Sequence, residues 1–376
     1  MVNRKLAAVV AATGLVIAAC SPATPPSASN LAPSVVPSGA TPATPGVSPN
    51  TTGCVVGVSW NNSKEARVAK WDEPAIKADL TAAGATYIST DAQSSAETQA
   101  RNVETLLTQG AQVIIIVAQD AIAIRPAVTA AVQAGVAVIA YDRIIEDPKA
   151  LYIAFDSVLV GKLEAQAVLK LVPKGNFAII KGNKGDADAV FLRSGMVQAG
   201  LPDVGQSTTD IRIVGETYTE SWDPAKAQTG MAQILAANGN KVDAVLAEDD
   251  AMAGGVVAAL TSEGLAGKVT VSGQGGDSSA LNRVALGTQM VDVLTDSRML
   301  GKAAGDAAGQ LCKNRDIGKV SGVGTFKSPG GTDMTSILLT PQAITRDTLN
   351  VVLDAAWIPK ADLCMNVKAG TVSVCG

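Results

Sequence analysis

In this chain of 376 residues, the side chains able to do chemistry fall just after apolar runs. The clearest case is Val136 to Arg143, where Val-Ala-Val-Ile-Ala leads into Tyr141, Asp142 and Arg143 with no turn residue between. Small and branched apolar residues in sequence read as a strand buried on both faces, as in a parallel sheet. A carboxylate and a guanidinium at its end can accept from and donate to hydroxyl groups. Similar clusters follow other apolar runs: Ser59-Trp60-Asn61-Asn62, Lys181 to Asp188 with Asp186 and Asp188, Glu248-Asp249-Asp250, and Gly273-Gln274-Gly275-Gly276-Asp277. In open α/β sheets, ligands sit beyond the carboxyl ends of the strands. The repetition predicts two polar rims that face each other across a cleft for a small polar ligand.

Several chemistries are excluded. The chain has no histidine, which removes His-based triads, His metal ligands and the commonest general base. The acids of the 186–188 and 248–250 clusters could be read as a glycosidase pair, but acids in the first turn of a helix are explained by capping and the helix dipole. The middle member of each set is retained as a hydrogen-bond acceptor for a ligand. Ser194-Gly195 and Ser272-Gly273 lack the surroundings of a nucleophile elbow. Gly273 to Gly276 lacks the Gly-Lys-Ser/Thr of a phosphate loop, and no dinucleotide fingerprint follows the first strand. No calcium ladder is present. The reading is a binding protein without catalytic residues, cofactor or metal. Trp71 and Trp222 are expected at the cleft, where an aromatic face stacks on a sugar ring, and Trp60 in packing.

The elements that must position these residues alternate. Strands are expected at Val55–Ser59, Thr86–Thr90, Gln112–Val117 and Val136–Ala140, with helices between them that stop at Gly84, Gly110 and Gly135, as left-handed caps require. After Tyr152–Phe155 a second series begins: strands at Asn176–Ile180, Ile211–Glu216, Ala244–Ala247, Thr270–Ser272 and Val291–Leu294, again separated by helices. A helix at Met299–Cys312 and a strand at Ser336–Leu339 come late. The pattern is α/β, with two Rossmann-like lobes built on parallel sheets.

The net charge of −4 implies no broad nucleic-acid surface. Arg4, Lys5 and the apolar run Leu6 to Ala19 form a targeting segment. Val-Ile-Ala-Ala before Cys20 resembles a bacterial lipobox, which implies cleavage of residues 1–19 and lipidation of Cys20. Residues 20–53 are rich in Ser, Thr, Pro and Ala without charge, a composition that reads as a disordered tether spanning about 30 Å or more. The mature protein is therefore expected outside the cytoplasm, anchored to the membrane through a lipid. An exported chain permits disulfides. Cys54, Cys312, Cys364 and Cys375 allow three pairings. The nearness of Cys364 to Cys375 around Lys-Ala-Gly-Thr favours that bond and leaves Cys54 with Cys312.

Ala140-Tyr141-Asp142-Arg143, Tyr152-Ile153-Ala154-Phe155-Asp156, Ala251-Met252-Ala253-Gly254-Gly255, Ser272-Gly273-Gln274 and Gly287-Thr288-Gln289 together resemble the periplasmic xylose-binding proteins. The resemblance runs from about Val55 to Pro341. It implies the type I periplasmic binding protein fold, with a first lobe of 54–155 plus 296–332, a second of 156–295 plus 333–376, and a three-segment hinge near 156, 295 and 333. It also implies capture of a monosaccharide for the permease of an ATP-driven (ABC) importer, by a protein acting as a monomer; the other reading is a sensor that presents its closed state to a receptor. Carried over residue by residue, the resemblance places ligand contacts at Lys70, Trp71, Asp142, Arg143, Asp186, Asp188, Trp222 and Asp249. This chain departs from the family by Lys70 in place of Arg, by Asp188 and Asp249 in place of Asn, by Gly275 in place of Asp with Asp277 as a substitute, and by Thr295 in place of Lys. The site becomes more acidic, so the ligand is expected to be xylose-like or a related sugar, with an amino-bearing ligand as a further option.

Overall fold

The computed structural model describes residues 53–203, 206–208 and 210–376. The targeting segment, nearly all of the tether and the lipidation site Cys20 lie outside the described residues.

The first series runs β1 (Val55–Trp60), one π-helical turn (Val68–Asp72), α1 (Glu73–Ala82), β2 (Thr86–Asp91), α2 (Ala96–Thr108), β3 (Val113–Ile116), α3 (Arg125–Gln133), β4 (Ala137–Tyr141) and β5 (Ala150–Phe155). β1, β3, β4 and β5 are buried along their whole length, which requires cover on both faces. Gly84, Gly110 and Gly135 follow their helices at φ values of 72°, 83° and 76°, the left-handed stop read from the sequence. The second series runs α4 (Ser157–Leu171), β6 (Gly175–Lys181), α5 (Ala187–Gln198), β7 (Ile211–Tyr218), α6 (Pro224–Ala237), β8 (Ala244–Ala247), α7 (Asp250–Ser262), β9 (Thr270–Gly275), α8 (Ser278–Leu286) and β10 (Val291–Leu294). α9 (Ser297–Lys313), β11 (Gly324–Lys327), β12 (Asp333–Leu339), β13 (Gln342–Thr345), α10 (Asn350–Asp354) and α11 (Lys360–Leu363) complete the chain.

Two sheets result, in the orders β11-β12-β5-β4-β3-β1-β2 and β13-β10-β9-β8-β6-β7. All pairings are parallel except β11 with β12 and β13 with β10. In the first lobe, α1 and α9 cover one face of the sheet and α2 and α3 the other. In the second, α6 and α7 lie opposite α4 and α5.

The chain passes between the sheets after β5 and after β10. The third passage differs from the sequence reading, which put it near 333. β12 pairs with β5 through Ser336–Tyr152 and Leu339–Phe155, so Asp333–Leu339 belongs to the first sheet and the chain returns only at β13. The short edge strands β11 and β13 also escaped the sequence reading. A brief segment paired on one side carries little of the two-faced apolar pattern that marks a central strand.

Both disulfides form as read: Cys54–Cys312 across 258 residues, tying the start of β1 to the end of α9, and Cys364–Cys375 across 11 residues in the C-terminal segment. α4 and α5 meet at glycines. A Cβ on Gly161 would lie 1.9 Å from the Leu192 carbonyl oxygen, and one on Gly195 1.9 Å from that of Val158. This close approach sets the start of α5, with Asp186 and Asp188, beside the start of α4.

Candidate functional site

The carboxyl ends of β1, β3 and β4 form one wall. A pocket with about 320 Å³ of free space, its solvent-facing part included, is lined there by Asn61, Glu65, Arg67, Tyr141, Asp142 and Arg143, among others. Asp142 adopts φ 66°, a left-handed conformation that Asp tolerates better than most residues and that clusters at functional sites. Its Oδ2 lies 3.0 Å from Arg67 Nη1. Arg67 Nε donates to Asp72 Oδ2 at 2.9 Å, and the buried Tyr141 hydroxyl donates to Asp72 Oδ1. Arg143 donates to the Ala118 carbonyl at 3.3 Å, which braces it across the ends of β3 and β4.

The sequence reading chose Lys70 as the cation of this wall. The structure puts Arg67 there instead, while Lys70 is exposed with its Nζ 4.6 Å from the Trp71 ring centroid. The π turn begins just after Arg67, so residues three apart do not share a face. The resemblance favours the cation next to the aromatic, and local sequence does not single out Arg67, since Lys64 and Lys70 also follow the end of β1 closely. Trp71 is absent from the pocket lining as well. It stacks on Trp357 of the C-terminal segment, with centroids 4.9 Å apart and planes at 20°. Trp60 packs in the core as read, 1% exposed.

The facing wall comes from β6, β8 and β9. Asp186 caps α5, accepting from the Asp188 amide at 3.1 Å, and takes the Trp222 indole N–H at 3.2 Å. Trp222 and Ser221 both have positive φ, 55° and 59°. The indole lies so close over Gly182 that a Cβ there would be 2.1 Å from the ring. Only glycine at the end of β6 lets the ring settle against Asp186. Asp188 accepts from Ser157 Oγ at 3.0 Å. Its carboxyl is pushed up to about 7 by burial first, then by Asp186 and by Asp142 of the opposite lobe, with Arg143 opposing. Asp142, Arg143 and Asp188 thus interact across the cleft. The Tyr152 hydroxyl lies beneath them; burial and these same acids hold its pKa well above the phenol range.

Within Glu248-Asp249-Asp250 the roles separate. Glu248 is fully buried and accepts the Gly182 amide at 2.8 Å. Asp250 is 1% exposed and accepts the amides of Gly276 and Asp277 at 2.8 and 2.9 Å. These two organise loops. Asp249 caps α7, accepting from Met252 at 2.7 Å, and remains half-buried. Burial, then Asp250 and Asp277, raise its carboxyl to about 7. Asp277 is exposed and makes no capping bond. Asp249 and Asp277 therefore form a second acidic pair, at the ends of β8 and β9. Lys181 is withdrawn from the rim by its 2.6 Å ion pair with Glu216. Thr295 Oγ1 reaches only the Gly275 carbonyl, at 3.4 Å. Among the described residues no cluster is placed to hold a metal ion, and no helix is long and apolar enough to cross a membrane.

Among the described residues the arrangement is one of fixed donors and acceptors around a small volume, without a nucleophile paired to a base. A family model described as a periplasmic binding protein domain matches residues 56–316. The chain is 33% identical over 288 residues to the D-xylose-binding periplasmic protein of Escherichia coli, covering 76% of this chain and 86% of that one. It is 29% identical over 282 residues to a multiple sugar-binding periplasmic receptor of Rhizobium radiobacter, covering 70% and 79%. Among solved structures, a carbohydrate transporter solute-binding protein from Chloroflexus aurantiacus superposes with a TM-score of 0.73 at 24% identity, over 83% of this chain and 98% of that one. Fold, family match and site chemistry converge: the chain belongs to the periplasmic binding protein family, in the group that holds the xylose-binding periplasmic proteins, and is a solute-binding protein, not an enzyme.

Proposed function

We propose that this protein captures a monosaccharide or related polyol between its lobes outside the cytoplasm and delivers it to the permease of an ABC importer, tethered to the membrane by a lipid on Cys20. The observation that carries the reading is the facing of Asp142 and Arg143 from one lobe by Asp188 from the other, in reach of each other's charge. Hydroxyls of a sugar can accept from Arg143 and Arg67 and donate to Asp142, Asp186, Asp188 and Asp249, in charge-assisted hydrogen bonds. Trp222 offers an aromatic face beside Asp186. The surplus of carboxylates favours a ligand rich in hydroxyl donors, and an amino group would fit them too. Closure shifts a pre-existing two-state equilibrium toward the form that docks on the membrane partner. The relatives' names, D-xylose-binding and multiple sugar-binding, agree with a sugar. One relative is named a receptor, which favours presentation of the closed form to a sensor as the second reading.

The test is thermal stabilisation across D-xylose, D-glucose, D-allose, xylitol and myo-inositol. A ligand at a hundred times its Kd adds about 2.7 kcal/mol. Asp142→Ala and Arg143→Ala, each still folded, should erase the shift. Persistence of the full shift in both variants would show that the ligand binds elsewhere. For the anchor, Cys20→Ser should release the protein from the membrane fraction.

A further inference from the structure

Trp357 has no part in the site described above, yet it is 6% exposed and makes contacts in both lobes. Its indole N–H donates to the Gly276 carbonyl at 2.5 Å, in the loop that leads to Asp277. Its ring stacks on Trp71, which belongs to the π turn of the first lobe, four residues beyond Arg67. Arg298, at the start of α9 in the first lobe, places its guanidinium carbon 4.9 Å from the Trp357 ring and 5.4 Å from Trp71. The same guanidinium donates to the Ala355 carbonyl at 2.9 Å and is held by Asp296 at 2.6 Å.

We infer that Trp357 is a positioning residue that acts through Trp71: the two indoles form an inter-lobe latch, and the latch sets how long the closed cleft holds its ligand. Trp71 rides with the first lobe and Trp357 with the second, so opening must separate the rings. Stacked indoles and a cation over them favour contact beyond simple burial. The position read from the sequence as a sugar-stacking Trp71 is thereby reassigned from ligand contact to closure. Because Trp357 also fixes the Gly276 loop, the latch couples closure to the placement of Asp277.

This inference rests on the sugar-capture reading for its kinetic arm only. In stopped-flow measurements with D-xylose as the probe, Trp357→Ala should raise the dissociation rate about tenfold, equivalent to about 1.4 kcal/mol, with the association rate nearly unchanged. Trp357→Phe, which keeps a stacking face, should stay within about threefold of the parent rate, equivalent to under 1 kcal/mol. In small-angle X-ray scattering without ligand, Trp357→Ala should show a larger radius of gyration while its circular dichroism stays that of the folded protein. A folded Trp357→Ala with parental dissociation rate and parental radius overturns the latch. If D-xylose does not bind the parent protein, the sugar reading is what suffers, and the ligand-free scattering decides the inference alone. If Trp357→Ala does not fold, Arg298→Gln, which removes the cation over the rings together with its bonds to the Ala355 carbonyl and Asp296, takes its place in both measurements; parental values there overturn the latch equally.

Discussion

Replacing Asp188 by Asn tests the electrostatics of the cleft without changing its shape. In the folded protein the Asp188 carboxyl titrates at about 7, raised by burial and then by Asp186 and Asp142. In the unfolded chain it titrates near the usual carboxylate value of about 4. Between those two pH values the folded state holds a proton that the unfolded state has lost. Stability therefore falls as pH rises through this window, and levels off above about 7. One such proton is worth about 1.4 kcal/mol per pH unit, hence up to about 2.7 kcal/mol between pH 5 and 7. Asp188 retains some contact with solvent, and relief from it lowers the figure to roughly 1–2 kcal/mol. Asn is neutral throughout and keeps an oxygen for Ser157 Oγ. Asp188→Asn should therefore gain stability over the parent as pH rises, by roughly 2–8 °C in Tm between pH 5 and pH 7. Paired thermal melts of the ligand-free proteins at pH 5, 6, 7 and 8 check this. A Tm difference that stays constant across the series would refute the reasoning, because it would mean that Asp188 ionises normally in its folded place.

Other substitutions probe other links. Arg67→Met leaves the fully buried Asp72 with Tyr141 as its only partner and should cost about 2–3 kcal/mol, less than a wholly buried pair because Arg67 itself is exposed; urea unfolding measures it, and a loss below about half a kcal/mol would show the pair to be ornamental. Gly182→Ala forces the Trp222 ring off the end of β6 and breaks its bond to Asp186; calorimetric titration with the best sugar of the panel should show affinity reduced about tenfold or more, or about 1.4 kcal/mol, in a protein that still folds. Joint replacement of Cys54 and Cys312 by Ser opens a 258-residue loop and should cost roughly 5 kcal/mol by chain entropy, whereas the Cys364–Cys375 pair, closing only 11 residues, should cost less; the order of the two Tm losses is the readout.

Much of this molecule was legible in the order of its residues. Runs such as Val113–Ile116 and Ala137–Ala140 are apolar on both sides, and only a sheet covered on both faces buries them. That periodicity, with Gly84, Gly110 and Gly135 after the helices, was sufficient for the α/β class, the two series and the strand ends that carry Asp142, Asp186 and Asp249. The absence of histidine settled much of the chemistry by subtraction. The cysteine pairing was legible because Cys364 and Cys375 are near neighbours along the chain.

What the residue order could not decide depends on long-range geometry. The return of Asp333–Leu339 to the first sheet depends on pairing with β5, a partner nearly two hundred residues away that local periodicity does not report. The choice of Arg67 over Lys70 depends on a π turn that rotates neighbouring side chains to different faces. Whether a carboxyl of Glu248-Asp249-Asp250 faces ligand or loop depends on which amides fold back onto it, and those come from Gly182, Gly276 and Asp277. Trp71 taken alone reads as a ligand contact and Trp357 carries no local signal; only the packing of a C-terminal segment against both lobes makes them one contact. Local sequence encodes the period of burial, and the choice of partner among equally buried groups is made when distant segments compete for the same space.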